Sequence, residues 1–356
     1  MITRPTLLVD EAKARKNIRQ MVEKCQQNGI SFRPHFKTHQ SETVGVWYRE
    51  AGIQKITVSS VVMAEYFVNH GWEDVLIAFP YNPLEAASVA SLAQKAKIGI
   101  LVESVEALEH AKQYISTPIN YHLAIDCGYH RTGISWLNVD MVQQLTNYET
   151  QHHFAGWVTH AGHTYSARGK DKVQETHREA LDRLRQLKTH FSNAIHISYG
   201  DTPSASICEK WEGIDELRCG NIVYYDLTQT AIGSCDYTQI AVAVACPVVA
   251  KHPDRNELII YGGGVHFSKD RMETSEGTLY GLGVRLTDVS WEILHQVRLV
   301  SLSQEHGKVS APREFIEGCQ IGDIIGFLPV HSCMTADLLV LQQTLTGQLI
   351  KKILIK

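Results

Sequence analysis

This 356-residue chain has no run of basic residues, no CxxC pair and no apolar stretch long enough to span a bilayer. Each absence removes a class of function. With 34 Lys and Arg against 38 Asp and Glu, none of the former clustered, there is no electrostatic footprint for nucleic acid. The longest apolar stretch, Ile240 to Ala250, contains Pro247 and falls short of the roughly 20 residues a spanning helix needs. Low-complexity segments and internal repeats are also missing. The opening, Met1-Ile2-Thr3-Arg4-Pro5, runs into a charged amphipathic segment and lacks the apolar core of a secretory signal. Eight cysteines are scattered from Cys25 to Cys333, as small core residues are in a reducing compartment. The expectation is a soluble cytoplasmic protein with neither a nucleic-acid nor a membrane partner.

What is present is a rhythm. Asp10 reads as the N-cap of a helix that carries Ala14, Ile18, Met21, Val22 and Cys25 on one face and ends at Gly29. Short apolar or β-branched runs follow at 30–35, 55–59, 74–79, 97–102, 119–126, 154–160, 195–199 and 215–219. Helical patterns lie between them at 61–70, 83–96, 104–116 and 169–190. Strands alternating with helices in this way predict a parallel (β/α)8 TIM-like barrel over residues 10–234. After residue 235 the pattern changes. Segments 237–250, 257–261, 291–302, 307–310, 323–328 and 338–354 read as strands punctuated by glycines, without a convincing amphipathic helix. Residues 235–356 are therefore expected to form an antiparallel β domain, with residues 1–9 adding a strand to it. Gly262-Gly263-Gly264 reads as a flexible turn.

On this frame the chemistry-bearing residues gather at the C-terminal ends of the barrel strands. Lys37, in Arg33-Pro34-His35-Phe36-Lys37-Thr38-His39, follows the first. Asp126-Cys127-Gly128-Tyr129-His130-Arg131-Thr132-Gly133 follows the fifth, and His160-Ala161-Gly162-His163-Thr164-Tyr165 the sixth. Tyr199-Gly200-Asp201-Thr202-Pro203-Ser204 and Arg218-Cys219-Gly220-Asn221 follow the seventh and eighth. A strand-end lysine can carry a carbonyl cofactor as a Schiff base. Small residues after strands 7 and 8 suit a phosphate, because they expose backbone N–H groups. Together these fit pyridoxal 5′-phosphate. Far downstream, His331 and Cys333 are two apart, so in an extended segment both would leave one face and could hold a metal. Each feature alone has a bland reading. Lys37 could be a solvated surface lysine, Arg131 a loop bridge, and His331 and Cys333 ordinary core residues.

The ordered series Pro-His-Phe-Lys-Thr-His, Asp-x-Gly-x-x-Arg-x-Gly, His-x-Gly-His-x-Tyr, Gly-x-Thr-Pro and His-x-Cys resembles the D-threonine aldolase and D-serine dehydratase family. These are fold-type III pyridoxal-phosphate enzymes with an alanine-racemase-like barrel, and the likeness covers nearly the whole chain. The resemblance implies that Lys37 anchors the cofactor, Arg131 meets its ring nitrogen and Tyr165 lies beside it. It also implies phosphate contacts from Gly200, Thr202, Gly220 and Asn221. His160 and His163 are both candidates for the acid/base near the metal, with His35 and His39 packing around Lys37. In the family, His-x-Asp accompanies the aldolases and His-x-Cys the zinc dehydratases. A thiolate at Cys333 favours zinc over manganese. The implied activity is that of a D-amino-acid lyase, a D-serine dehydratase first and a D-threonine-type aldolase second, acting on a small D-β-hydroxy amino acid. A non-catalytic pyridoxal-phosphate carrier is the third reading. The family also implies a homodimer in which a barrel meets the β domain of the other subunit.

Overall fold

The computed structural model describes residues 2–353. Strand β1 (Thr6–Val9) leads into helix α1 (Glu11–Gln27), whose first turn is capped by the Asp10 carboxylate accepting the Lys13 N–H at 3.1 Å. Ala14, Ile18, Met21 and Cys25 bury the expected face of α1. The barrel then unfolds in order: β2 (Ser31–Phe32), α2 (Glu42–Glu50), β3 (Lys55–Val58), α3 (Val61–Asn69), β4 (Asp74–Pro80) and α4 (Ala86–Ala93). Next come β5 (Lys97–Val102), α5 (Val105–Tyr114), β6 (Asn120–Asp126), the two-residue β7 (Ile134–Ser135) and α6 (Val139–Thr146). It finishes with β8 (His153–His160), α7 (Lys170–Lys188), β9 (Ile197–Gly200), α8 (Thr202–Ile207), β10 (Glu216–Leu217) and α9 (Leu227–Ile232). Ser41, Ser60 and Ser104 cap α2, α3 and α5, each accepting the amide three residues on.

Eight parallel strands pair in the order β2-β10-β9-β8-β6-β5-β4-β3, with β7 on the end of β6. An isolated parallel bridge between His35 and Thr57 joins the two ends and closes the barrel. Bending the chain at Pro34 to make that bridge is what brings Lys37 onto the rim.

The barrel interior is only partly apolar. Leu76, Leu101, Ala124 and Val158 form one small cluster inside it. Beside them runs a polar column. Glu216 accepts from the Arg33 Nε at 3.1 Å, the Ser198 Oγ at 2.7 Å and the Lys55 Nζ at 2.6 Å. Arg33 also reaches Asp74 at 2.7 Å, while Arg218 donates to Ser198 Oγ at 2.8 Å and to the Thr159 carbonyl at 2.6 Å. A cavity of about 230 Å³ opens at the foot of this column, lined by Arg33, Asp74, His122 and Glu216. Its ionic groups are largely paired with one another, and the residues singled out above lie elsewhere.

The remaining chain builds β11 (Val242–His252), β12 (Glu257–Tyr261), α10 (Gly264–Phe267), the hairpin β13 (Met272–Thr274) and β14 (Gly277–Leu279), and β15 (Gly281–Leu286). Then follow β16 (Trp291–Leu302), β17 (His306–Ser310), α11 (Arg313–Gly318), β18 (Ile324–Pro329), α12 (Ser332–Leu338) and β19 (Gln342–Thr344). The sheet order is β12-β17-β16-β15-β18-β11-β1-β19, and β12 also pairs with the second half of β11. β1 lies antiparallel to β11, so the N-terminal segment belongs to the second sheet as expected.

Several segments differ from expectation. Gly281 and Gly283 suggested turns but lie within β15. A Cβ on Gly283 would stand 2.6 Å from the Val297 side chain, so the glycine serves close approach at a bulge. Segment 338–354 is strand only at Gln342–Thr344, and residue 354 lies outside the described residues. The stretch before it is helix α12, in a domain expected to hold none, while α2, α6, α8 and α9 add helices to the four singled out in the barrel. Gly262-Gly263-Gly264 is no flexible turn. A Cβ on Gly262 would meet Cys246 Sγ at 2.6 Å and one on Gly263 the Gln304 carbonyl oxygen at 2.3 Å. Among the described residues no helix is long and apolar enough to cross a membrane.

Candidate active site

Lys37 stands in the turn after the closing bridge. Phe36 anchors that turn: its N–H donates to the Thr57 carbonyl, and its ring sits edge-on to Phe67 and Trp72. Solvent reaches Lys37, yet loops surround it, and desolvation is the largest influence lowering its ammonium pKa. Cys333 opposes that shift, while the Arg131 and Arg218 charges add to it. His35 is buried behind the lysine, its Nδ1 accepting the Lys37 N–H at 3.4 Å. His39 packs away from it, stacked on Tyr48 and bonded to the Ser41 N–H.

The Asp126–Gly133 loop is organised by its first residue. Asp126 Oδ1 accepts the N–H groups of Gly128, Tyr129 and His130 at 2.9 to 3.0 Å, and its Oδ2 meets His130 Nδ1 at 2.7 Å. Gly133, at φ +108°, folds back so closely that a Cβ would lie 2.7 Å from the Asp126 nitrogen. This is why the motif needs its aspartate and its last glycine. Arg131 is thereby held over the Tyr129 ring at 5.3 Å, and among the described residues its guanidinium has no hydrogen-bond or ion-pair partner.

His160 and His163 part company. His160 Nδ1 donates to the Gly200 carbonyl, which leaves Nε2 as the free nitrogen. Burial first, then the Lys37 and Arg131 charges, push its pKa down to about 3, so the ring is neutral. His163 lies on the short helical turn Gly162–Ser166, and that turn carries it away from the lysine. It stacks on Tyr129, and the charges that act on it are Arg183, Asp126, Glu179 and His130. Both ring nitrogens of His163, the other candidate acid/base, are buried without a hydrogen-bond partner among the described residues. Tyr165 Oη accepts the Thr202 N–H at 3.3 Å and lies beside His160.

The loops after β9 and β10 form a close-packed cradle. A Cβ on Gly220 would lie 2.5 Å from the His35 carbonyl oxygen, and one on Gly200 would crowd Arg218 at 3.3 Å. Thr202 Oγ1 and Ser204 Oγ are buried without a partner. Asp201 caps α8 through the Ser204 N–H. The Asn221 Nδ2 reaches Asp226, Ser332 Oγ at 3.0 Å and Cys333 Sγ at 3.4 Å, so a phosphate contact from this residue would fall to its backbone N–H.

His331 and Cys333 do converge, though not as neighbours on a strand. His331 is the extended residue before α12, and Cys333 lies in the first turn of that helix. His331 Nδ1 bonds Asp270 Oδ2 at 2.8 Å, and Cys333 Sγ lies 3.3 Å from Thr38 Oγ1. Burial opposes a charged imidazole, but Asp270 and Cys333 outweigh it and raise His331 to about 11, while the same pairing lowers Cys333. The Thr38 contact puts the pair beside the Lys37 turn of its own chain, a point that residue order left open.

Sequence reading missed Thr38, Asp226 and Asp270. Asp226 had a cap-like position before Leu227 as its only signal, and Asp270 had none.

The residues present fit the two groups that the resemblance implied. An unpartnered arginine, a lysine whose ammonium pKa is lowered mainly by desolvation, free buried hydroxyls and close-packed glycines suit pyridoxal 5′-phosphate. A thiol and an imidazole in mutual contact suit zinc. Among the described residues no third His, Cys, Asp or Glu completes a closed metal site, so such an ion would keep open positions.

Comparisons with known proteins agree with this arrangement. Residues 9–228 match the family described as alanine racemase, N-terminal domain, and residues 241–341 the "putative serine dehydratase domain". The D-serine dehydratase of Dictyostelium discoideum is 28% identical, over 93% of this chain and 90% of that protein. The D-threo-3-hydroxyaspartate dehydratase of Delftia sp. strain HT23 is 25% identical over 93% and 91%. Its solved structure superposes with a TM-score of 0.89 over 100% of this chain and 98% of the other. A cysteine-to-alanine mutant of the Delftia enzyme, with the same TM-score of 0.89, is described as being in the metal-free form.

Proposed function

The chain belongs to the alanine racemase N-terminal domain family and carries a serine dehydratase domain behind its barrel, and from that premise we propose that it is a pyridoxal-phosphate- and zinc-dependent D-amino-acid lyase, a D-serine dehydratase or a dehydratase of a closely similar D-β-hydroxy amino acid. The observation that carries this reading is the 3.3 Å contact of Thr38 with Cys333, which puts the His/Cys pair beside the Lys37 turn.

Bound pyridoxal 5′-phosphate supplies an electron sink for a carbanion at Cα, and bound zinc a Lewis acid for the β-hydroxyl. The chain's own residues do the rest. Lys37, its ammonium pKa lowered mainly by desolvation, can take the α-proton on Nζ. Arg131, without a partner among the described residues, would stand toward the cofactor's ring and tune the sink rather than act as an acid. His160, neutral and fixed by its bond to Gly200, offers its Nε2 lone pair as a hydrogen-bond acceptor in the site. His331 and Cys333 would hold zinc on the side of the hydroxyl. Loss of water leaves an enamine, and hydrolysis of that enamine by water gives a 2-oxo acid and ammonia.

Cys333 in place of an aspartate argues for zinc over manganese and for elimination over aldol cleavage. Exposed Phe79 and Leu84 at the rim, 58% and 93% accessible, are consistent with a homodimer that covers them. All eight cysteines are free, in keeping with a cytoplasmic enzyme. The test is a screen of D- and L-serine, threonine and 3-hydroxyaspartate, scoring ammonia, 2-oxo acid and glycine in parallel. Ammonia and 2-oxo acid from a D-isomer are expected. Glycine and an aldehyde would mark an aldolase, and turnover of L-isomers alone would overturn the reading.

A further inference from the structure

Two aspartates that no motif singled out grip His331-Ser332-Cys333 from opposite sides. Asp270 comes from the loop after α10. Its Oδ2 takes the His331 Nδ1 proton at 2.8 Å and is itself steadied by Ser268 Oγ at 3.1 Å. A histidine whose Nδ1–H is committed to a carboxylate presents Nε2 to a metal in one tautomer and one ring orientation. The loop that carries Asp270 is fixed in turn. Thr335 of α12 donates to the Phe267 carbonyl at 3.2 Å, and the close-packed glycines before α10 leave that helix one way to sit.

Asp226 comes from the barrel, at the N-cap of α9. It is 1% exposed, and its Oδ1 caps that helix through the Gln229 N–H at 2.9 Å. Its Oδ2 takes three further donors: Asn221 Nδ2 at 2.8 Å, the Ser332 N–H at 3.0 Å and Ser332 Oγ at 3.2 Å. Two residues on, Thr228 donates through its N–H and its hydroxyl to the Val330 carbonyl, at 3.2 and 2.8 Å. The first turn of α9 therefore holds the backbone on both sides of His331. Asn221, held by Asp226, extends the same grip to Cys333 Sγ at 3.4 Å. A buried carboxylate that satisfies four donors cannot be exchanged for an amide without setting donor against donor.

We infer that Asp270 and Asp226 are positioning residues for the metal pair, Asp270 orienting His331 from the β domain and Asp226 keying the Ser332–Cys333 turn to the barrel that carries Lys37. This rests on the reading of His331 and Cys333 as a zinc site. The proposal predicts that metal affinity, and not cofactor binding, depends on these two carboxylates.

The test is a zinc titration of metal-stripped, cofactor-loaded protein against a chromophoric chelator, comparing wild type with Asp270→Asn and Asp226→Asn. Each variant should bind zinc about 10- to 100-fold more weakly, with the cofactor's visible absorption unchanged. With cobalt(II) in place of zinc, the thiolate charge-transfer band should weaken or shift in Asp226→Asn, which loosens the cysteine. Wild-type affinity in both variants would overturn the inference. Failure of the wild type to bind zinc would instead overturn the metal reading beneath it. Should Asp226→Asn not fold, Ser332→Ala leaves the α9 cap intact and removes one of the four donors. A few-fold loss of zinc affinity there supports the barrel's grip, and an unchanged affinity refutes it.

Discussion

Thr38 Oγ1 and Cys333 Sγ lie 3.3 Å apart, although 295 residues separate them in the chain. One belongs to the turn that presents Lys37, the other to the helix that follows the last long strand of the second sheet. Through this contact the candidate base and the candidate metal ligands face one space within a single chain. The partition of labour between them is open to experiment.

Lys37→Ala should abolish turnover and leave the cofactor without a covalent link. Borohydride treatment followed by mass spectrometry reads this directly. A peptide carrying the reduced cofactor at any other lysine in the variant would refute the assignment of Lys37.

Removing the metal should separate two activities. The barrel residues Lys37, Arg131 and the β9 and β10 loops make no use of zinc, so a chelator should leave the visible absorption in place. Exchange of the α-proton with deuterium, followed by NMR, should survive better than ammonia release. Full-rate elimination by chelated enzyme would exclude a role for His331 and Cys333 in the chemistry. Cys333→Asp should bind manganese relatively better than the wild type and gain glycine among its products.

Glu216 is the hub of the polar column inside the barrel. Burial works against its ionisation, but Arg33 and Lys55 outweigh that and hold its carboxyl well below the usual range. Its contribution to stability is therefore complete above the unfolded pKa, near ~4.3, and is lost as pH falls from there through the folded value. Glu216→Gln leaves two cations facing a neutral group and should cost about 3–5 kcal/mol at pH 7, read from urea denaturation. A loss below ~1 kcal/mol would mean that water already screens the column.

Asp201 behaves in the opposite sense. Burial raises its carboxyl to about 6 against the bonds from Ser204 and Thr164, and Oδ2 has no partner. The protonated form is favoured on folding, so this stability is full below the unfolded pKa and fades as pH rises through about 6. In cofactor-free protein, Asp201→Asn should gain on the wild type as pH goes from 5 to 8, by roughly 1.5 kcal/mol. Melting curves at the two pH values test the slope, and parallel curves would show that Asp201 stays ionised throughout.

The eight-fold alternation of the barrel, the N-cap at Asp10 and the rim positions of Lys37, Arg131 and Tyr165 can all be read from residue order, because period and turn chemistry are local properties. The addition of β1 to the second sheet was also legible, from a short apolar run ahead of the first helix. What could not be read was anything that depends on two distant segments meeting. Gly283 and Gly262–Gly264 look like turn residues in one dimension, and only the approach of Val297, Cys246 and Gln304 gives them their purpose. Asn221 gave no sign that Asp226 and α12 would take its side-chain amide. His163 shared a motif with His160, yet one short helical turn between them sent it to a different set of charges. Asp270 carried no local signal, because its bond to His331 crosses 61 residues. Periodicity constrains which face a side chain takes. Which partner it finds there is set by how the two sheets are packed, and that packing is a property of the whole chain.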